Sequence, residues 1–173
     1  IPGIAIAGRL LYDGDIIHTG ENGKIKLSLI RSDHHITIFG SAELQINGGE
    51  ASSQLVLNYG NIFTQFSNDP NTNCSIITHS SRIYQKEGEL WISRNFTNED
   101  HIFTIMGTAQ VFNSITGVEM NMEMGEMIIS NLDSLGDIKD FTVEMLPPEI
   151  FKQYQMNREE EKEDIVFTVM NYF

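Results

Sequence analysis

The chain has 173 residues, of which 40% are hydrophobic, and this is enough apolar material for one globular core. Its formal net charge of −13 disfavours binding to the phosphates of nucleic acids. The sequence contains no apolar run of the roughly 18 residues that a membrane helix needs, so we expect no transmembrane segment in it.

The sequence begins with Ile1, and we expect that any signal peptide or anchor has been removed from it. Cys74 is the only cysteine, so it can form neither an internal disulfide nor a zinc site built from cysteines. We interpret it as a half-buried thiol, with an intermolecular disulfide as the alternative. A single cysteine is compatible with an extracytoplasmic bacterial protein.

Apolar and polar residues alternate along the chain up to about Leu146, which is typical of strands with one dry and one wet face. Turn-forming residues separate these segments, and the strands recur at a spacing of roughly 8–12 residues. The residues expected on the dry faces are Ile25, Leu27 and Leu29; Ile36 and Ile38; Leu44 and Ile46; Leu55, Leu57 and Tyr59; and Val118, Met120, Met122 and Met124.

The stretch from Gly14 to Leu29 indicates a strand, a tight turn and a second strand. Its Asn22-Gly23 pair accepts the positive φ that a type I′ turn requires, and we therefore predict a β-hairpin. The sequences NYGN (58–61) and KEG (86–88) are predicted as further turns between strands.

These patterns predict an all-β fold. The strand spacing is equally compatible with a short-strand sandwich, a roll or a solenoid-like coil. No helical pattern lies between the strands, so a parallel α/β sheet is not expected.

The periodicity changes after Leu146. Pro147 and Pro148 stop the sheet, and Ile150, Phe151 and Tyr154 then share one face at helical spacing. We predict one C-terminal helix of 16–18 residues that ends in a solvated run of charges, followed by a terminal strand. The chain therefore divides into a β-domain at 1–146 and an extension at 147–173.

Five blocks of the sequence, between about Ile4 and Asn131, resemble the FecR domain in order and spacing. The blocks are GRLLYDGDIIHTGENGKIKLSL, HHITIFGSAELQI, LVLNYGNIFTQF, SIITHSSRIYQKEGELWI and FTIMGTAQVFNSITGVEMNMEMGEM. Two departures are Thr78-His79, where the family has Thr-Pro, and Glu87-Gly88-Glu89, where it has Arg-Gly-Thr. Both departures lie at turns between strands, so we expect the fold to persist.

The FecR resemblance implies an extracytoplasmic β-domain in the periplasm, at the cell surface or secreted. Such domains occur in sigma-factor regulators of bacterial cell-surface signalling and in standalone proteins. The anti-sigma helical segment and the transmembrane helix of the full regulators are not in this sequence, so we do not expect it to sequester a sigma factor by itself.

The candidate residues for chemistry do not form a recognisable catalytic or metal-binding pattern. His34 and His35 are adjacent and are expected in a solvated loop, and His18 is expected at a polar rim. His79 and His101 complete the histidines, and no Ser or Cys motif accompanies them. Gly107-Thr108 has no obvious neighbouring base. We therefore predict no enzymatic activity, no metal and no cofactor.

Two further motifs receive structural interpretations. Asp13-Gly14-Asp15 could offer oxygens to calcium, but it lacks the further acidic ligands of a calcium loop. We expect a turn in which Gly14 has positive φ and the Asp side chains accept backbone amides. The methionines of the 118–124 strand are expected in the core rather than at a copper site.

The terminal sequence IVFTVMNYF is rich in strand-forming residues, and an unpaired strand of this kind would promote aggregation. We expect it to contact a second chain, by edge pairing or in a groove, and pairing with its own domain's sheet is the alternative. The residues proposed for this contact are Ile165, Val166, Phe167, Val169, Tyr172 and Phe173. Two functions follow: a non-enzymatic signalling module that binds a protein partner, or a self-assembling surface or filament protein. The sequence leaves any small-molecule ligand unknown.

Overall fold

The fold is all-β with one short C-terminal helix, as predicted. The computed structural model describes residues 6–29, 33–49, 52–68, 73–95, 97–152 and 154–156. Its strands are β1 (Ile16–Thr19), β2 (Lys24–Ser28), β3 (His35–Gly49), β4 (Ser52–Phe66), β5 (Asn73–Ile77), β6 (Ser81–Arg94), β7 (Asp100–Asn113), β8 (Glu119–Glu123), β9 (Glu126–Ser130) and β10 (Lys139–Asp140). A 3₁₀ turn at Val143–Met145 and a helix, α1, at 148–156 follow.

Four long strands of 14 or 15 residues organise the sheet. Strands β1 and β2 both pair with β3, at its second and first halves respectively. In the same way, β8 and β9 pair with the second and first halves of β7. Between them, β4 pairs with β6 directly at one end and through the short strand β5 at the other.

The predicted hairpin between Gly14 and Leu29 is wrong. Both of its strands pair antiparallel with β3, so they run in the same direction and not against each other. Gly23 donates its N–H to the carbonyl of Gly20 at 2.8 Å, and neither Asn22 nor Gly23 has a positive φ. The Asn-Gly pair reports only a local preference, whereas the long edge of β3 offers pairing to both strands and decides the path of the chain.

The turns predicted at 58–61 and 86–88 are also wrong, because both stretches lie inside long strands. Each long strand instead has an internal glycine with positive φ near a bend: Gly40 in β3, Gly60 in β4, Gly88 in β6 and Gly107 in β7. The pairing register shifts at these places, as in β-bulges. The strands are therefore about twice as long as a short-strand fold requires, and bent.

The bends divide the sheet into two halves that share the four long strands. The first half-sheet contains β1, β5 and β8 beside them, and the second contains β2, β9 and β10. Residues of one face of both halves form a single core whose side chains, such as Ile36 and Leu44, are fully buried, so the bent sheet covers its own face. Members of this inner core include Ile36, Ile38, Leu44, Leu55, Leu57, Ile76, Ile92 and Met122.

The predicted dry faces are confirmed at most positions. Ile36, Ile38, Leu44, Leu55 and Leu57 are fully buried, and in the methionine-rich strand Met122 is as well. Met120 is partly buried against the same core, whereas Met124 packs against a second cluster, so the prediction that it shares the face of Met120 and Met122 is wrong. Val118 is exposed and lies just before β8, so the prediction of a dry face is wrong at this position.

A second apolar cluster lies on the opposite, outer face of the second half-sheet. The C-terminal segment covers it, with Ile150 and Tyr154 of α1 packing there as their helical spacing predicted. The buried members of this outer cluster are Phe63, Trp91, Phe103, Ile105, Met127, Phe141, Leu146, Ile150 and Tyr154. The division at 146/147 stays a prediction, and so do the full helix length and the terminal strand, because 157–173 lies outside the described residues.

Candidate functional site

The histidines lie at separate places on the described structure. His18 contacts Glu43 at 3.1 Å, His35 contacts Ser28 at 3.0 Å, and His101 contacts Glu99 at 3.4 Å. Across the ranges that the structure describes, no three His, Cys, Asp or Glu side chains converge where they could hold a metal ion. None of the described helices has the length and apolar character to cross a membrane.

His34 is buried, and the expectation of a solvated loop is wrong for it. Its ring stacks on that of Phe66, with the centroids 4.5 Å apart and an interplanar angle of 16°. Phe66 ends β4, 32 residues further along the chain, so no local pattern around His34 reveals this partner. The flat imidazole ring packs here as an aromatic surface.

The Asp13-Gly14-Asp15 turn has the predicted geometry. Gly14 has φ +87°, Asp15 accepts the N–H of Tyr12 at 3.0 Å, and Asp13 accepts the N–H of Gly48 at 2.8 Å. Both carboxylates therefore anchor the chain that leads into β1.

Cys74 is buried more deeply than expected. It belongs to the inner core, and burial raises the pKa of its thiol to about 12. A thiol of this kind is neutral at physiological pH and behaves as a small apolar side chain.

A buried ion pair joins the end of β6 to the start of β7. Arg94 donates to Asp100 at 3.1 Å, and the Asp100 side chain is completely buried. Thr78 donates to the same carboxylate at 2.5 Å, and Ser80 donates to it as well. The carboxylate is thus held by a cation and two hydroxyls, which stabilises its charge inside the protein.

Hydrogen bonds extend this pair in both directions. On one side Arg94 donates to the carbonyl of Asn58 at 2.6 Å, and the Asn58 amide reaches Glu43 at 2.7 Å. On the other side Ser80 contacts Ser130 at 3.2 Å, and Asn113 donates to Ser130 at 3.0 Å. Because each member is held by the next, the network ties together the strand ends rather than presenting a free nucleophile.

A groove of about 750 Å³ lies between the outer face of the second half-sheet and the C-terminal segment. Three aromatic side chains from three strands form its floor: Phe39 of β3, Trp91 of β6 and Phe103 of β7. Polar groups beside them come from Asn61, Ser93 and His101, and the opposite wall consists of Met145, Leu146, Pro147, Pro148, Glu149 and Ile150.

Lys24 spans one side of this groove. Its ammonium lies 4.9 Å from the centroid of the Phe39 ring and 3.1 Å from a carboxylate oxygen of Glu149. Both members of the ion pair are more than half exposed, so the pair contributes at most about 1 kcal/mol. It nevertheless places β2 beside the start of α1.

The sequence analysis missed the groove because it assigned each strand one dry face. Leu90-Trp91-Ile92 in β6 and Ile102-Phe103 in β7 are apolar on both faces, with alternate residues in the inner core and the outer cluster. A continuous apolar run indicates a strand covered on both sides. That signal could have located the covered outer face, though not the groove beside it.

The residues predicted to contact a second chain, Ile165 to Phe173, lie outside the described residues. Their contact therefore stays a prediction.

Solved structures resemble this fold, and two of them are described here. Both are crystal structures, at 1.65 and 2.50 Å resolution, of a proposed anti-sigma factor from Parabacteroides distasonis ATCC 8503. Each has a TM-score of 0.61, and the sequences are 11% and 10% identical to this chain. The matches cover 74% of this chain and 59% of that protein, so the likeness concerns the fold of the shared part. No family model matches the sequence, and none of the curated proteins matches it.

Proposed function

We propose that this chain is a non-enzymatic, extracytoplasmic protein-interaction module of cell-surface signalling, and that its docking site is the groove. One observation carries the proposal: an open groove of about 750 Å³ lies between the outer sheet face and the C-terminal segment, and Phe39, Trp91 and Phe103 are among its lining residues. Aromatic residues with nearby polar groups are typical of surfaces that bind protein segments. The fold shared with a proposed anti-sigma factor supports a regulatory role.

Docking of a partner in the groove can be coupled to the C-terminal segment that follows the sheet. One wall of the groove is the segment from Met145 to Ile150, which leads from the sheet into α1. A partner that binds one position of this wall more tightly than another shifts the population of that position. Binding energy alone is then sufficient to transmit a signal.

Transcription in the source organism tests this role. The account expects that deletion of the gene changes one coherent set of promoters and that the wild-type gene restores it. A deletion strain with an unchanged transcript profile under every growth condition that expresses the gene would contradict the signalling role.

A self-assembling structural protein is the alternative, and one observation favours it. Four large apolar side chains are at least half exposed at the start of the described chain, next to or within the edge strand β1: Ile6, Leu10, Tyr12 and Ile16. Exposed apolar residues on an edge strand can drive association. Concentration-dependent growth of large species in sedimentation experiments, abolished by Tyr12→Lys with Ile16→Lys, would favour assembly.

A further inference from the structure

Two short strands at the edges of the sheet carry charges of opposite sign. In the part of the chain that the structure describes, β2 pairs only with β3 and β8 pairs only with β7, so each strand has one side without a neighbouring strand. Strand β2 (KIKLS) contains two lysines and no acidic residue, and β8 (EMNME) contains two glutamates and no basic residue. The cations of β2 lie in a chain whose net charge is −13, so this edge attracts acidic surfaces of the same protein.

The two strands match in length and in pattern. Each has five residues, and in each the polar side chains at the first, third and fifth positions are exposed. The side chains between them pack against the inner core, Ile25 and Leu27 from β2 and Met120 and Met122 from β8. All of these except Met122 keep part of their surface accessible. A strand placed alongside would continue the apolar face and bury more of it, in addition to forming backbone hydrogen bonds.

The backbone groups that point away from the sheet belong to the same residues as the exposed side chains. Next to β2, the carbonyl of Gly23 accepts the N–H of Gly40 at 2.8 Å, so every second residue from Gly23 onward faces β3. The three exposed residues of β2 alternate with these and direct their N–H and C=O groups outward. Next to β8, the carbonyl of Val118 accepts the N–H of Asn113 at 2.8 Å, so the exposed residues of β8 also face outward.

Antiparallel pairing of these two edges would bring their charged residues together. Residues that exchange both backbone hydrogen bonds lie directly opposite each other, with their side chains on the same face. The N–H of Glu123 is already held by the carboxylate of Glu126 at 2.7 Å, so pairing is favoured at the other end of β8. That register places Lys26 opposite Glu119, and it places Lys24 diagonally between the two glutamates of β8.

Charged side chains on an edge strand normally prevent pairing, and here they do so for like edges. Two β2 edges would bring lysines together and two β8 edges would bring glutamates together, so each edge disfavours its own counterpart. The combination of β2 with β8 brings opposite charges together. Lys24 already contacts Glu149, but both side chains of this pair are more than half exposed, so the contact is weak enough to be exchanged.

We propose that β2 of one chain pairs antiparallel with β8 of a second copy of this chain. The interface is heterologous, so β8 of the first copy and β2 of the second stay available and further copies can add in the same way. Each strand contributes only five residues, so we expect association that rises with concentration rather than a permanent dimer. None of the paired residues lines the groove, so this inference can fail while the proposed function stands.

Charge reversal at each edge tests the pairing, with sedimentation velocity of the full chain over a concentration series as the measurement. The sedimentation coefficient of the unchanged protein should rise with concentration. It should stay at the monomer value for Lys24→Glu with Lys26→Glu, and also for Glu119→Lys with Glu123→Lys. An equimolar mixture of these two variants should recover the rise, because each β2–β8 contact between unlike variants again joins opposite charges. A variant that merely failed to fold would not be rescued by the other.

The matched control is Arg82→Glu with Lys86→Glu, which changes the net charge by the same amount as the β2 variant. Both residues are exposed on β6, away from the two edges, so this protein should associate like the unchanged one. Equal loss of association in the control would overturn the proposal, because net charge would then be the cause. A sedimentation coefficient that is constant with concentration in the unchanged protein would also overturn it. So would a mixture that stays monomeric, or association that only Tyr12→Lys with Ile16→Lys abolishes, because the contact would then lie at β1.

Discussion

The Arg94–Asp100 pair is the interaction whose loss should affect stability most at the level of single residues. Asp100 is fully buried and Arg94 nearly so, and removal of one partner leaves an uncompensated charge. Arg94→Met should lower the free energy of unfolding by about 3–5 kcal/mol, measured by urea denaturation.

The control for this pair is the exposed Lys24–Glu149 contact. Lys24→Met removes an ion pair with the same 3.1 Å separation, but in solvent, and should change the unfolding free energy by less than about 1 kcal/mol. Equal changes in the unfolding free energy for Arg94→Met and Lys24→Met would show that burial does not determine how much an ion pair contributes to stability.

Cys74 gives a second prediction, on pH and reactivity. Burial raises the pKa of the thiol from 9.0 to about 12, so between these values the unfolded chain loses this proton while the folded chain keeps it. The contribution of Cys74 to stability is therefore complete below about pH 9 and is lost as pH rises toward 12. At pH 8, a thiol reagent should label Cys74 only after urea unfolding; rapid labelling of the folded protein would contradict its burial.

The glycine bends decide the architecture at the level of elements. A Cβ at Gly60 would lie 2.2 Å from the Cβ of Ala42, in addition to the strain of φ +101°. At Gly117 φ is +75° but nothing lies within 4 Å of such an atom. Gly117→Ala should therefore cost only about 1–2 kcal/mol, whereas Gly60→Ala should cost distinctly more, as seen in urea denaturation.

A Gly60→Ala variant that is as stable as Gly117→Ala would mean that Ala42 can move away. The close approach of β3 and β4 would then not depend on glycine, and the bend would need another cause.

The packing of α1 on the outer cluster gives a further prediction. Ile150 is almost fully buried against the outer cluster, whereas Met156 near the described end of α1 is about half exposed. Ile150→Ala should lower the free energy of unfolding by about 2–5 kcal/mol and loosen the packing of Trp91. Met156→Ala should do neither, measured by thermal denaturation and Trp91 fluorescence. Equal stability of both variants would place α1 outside the cooperative fold.

The elements also show what the sequence could predict. Alternation located the dry faces of β3 and β4 correctly, because an inward face needs apolar side chains whichever strands are neighbours. The glycines at 60 and 88 were predicted as turns because a turn and a bulge use the same positive φ. A turn and a bulge differ in which strand pairs with the flanking residues. A local sequence pattern does not specify pairing between distant strands.

For the whole molecule, one bent sheet produces two apolar surfaces with different covers. The inner surface closes on itself through the two half-sheets, and the outer one depends on the C-terminal segment. The sequence predicted α1 and its apolar face but not its target, since Trp91 and Phe103 are far from it along the chain.

The central claim is that this groove is the docking surface of a regulatory module. The most direct measurement is transcription in a strain that lacks the gene and carries it again as wild type, Met145→Glu or Met106→Glu, with the three proteins present at equal levels. The account predicts that the wild type and Met106→Glu, which changes an exposed residue of β7 outside the groove, restore transcription from the promoter set. It predicts that Met145→Glu does not restore it fully. Full restoration by Met145→Glu as well would contradict the claim, because the groove wall would then be irrelevant to the signal.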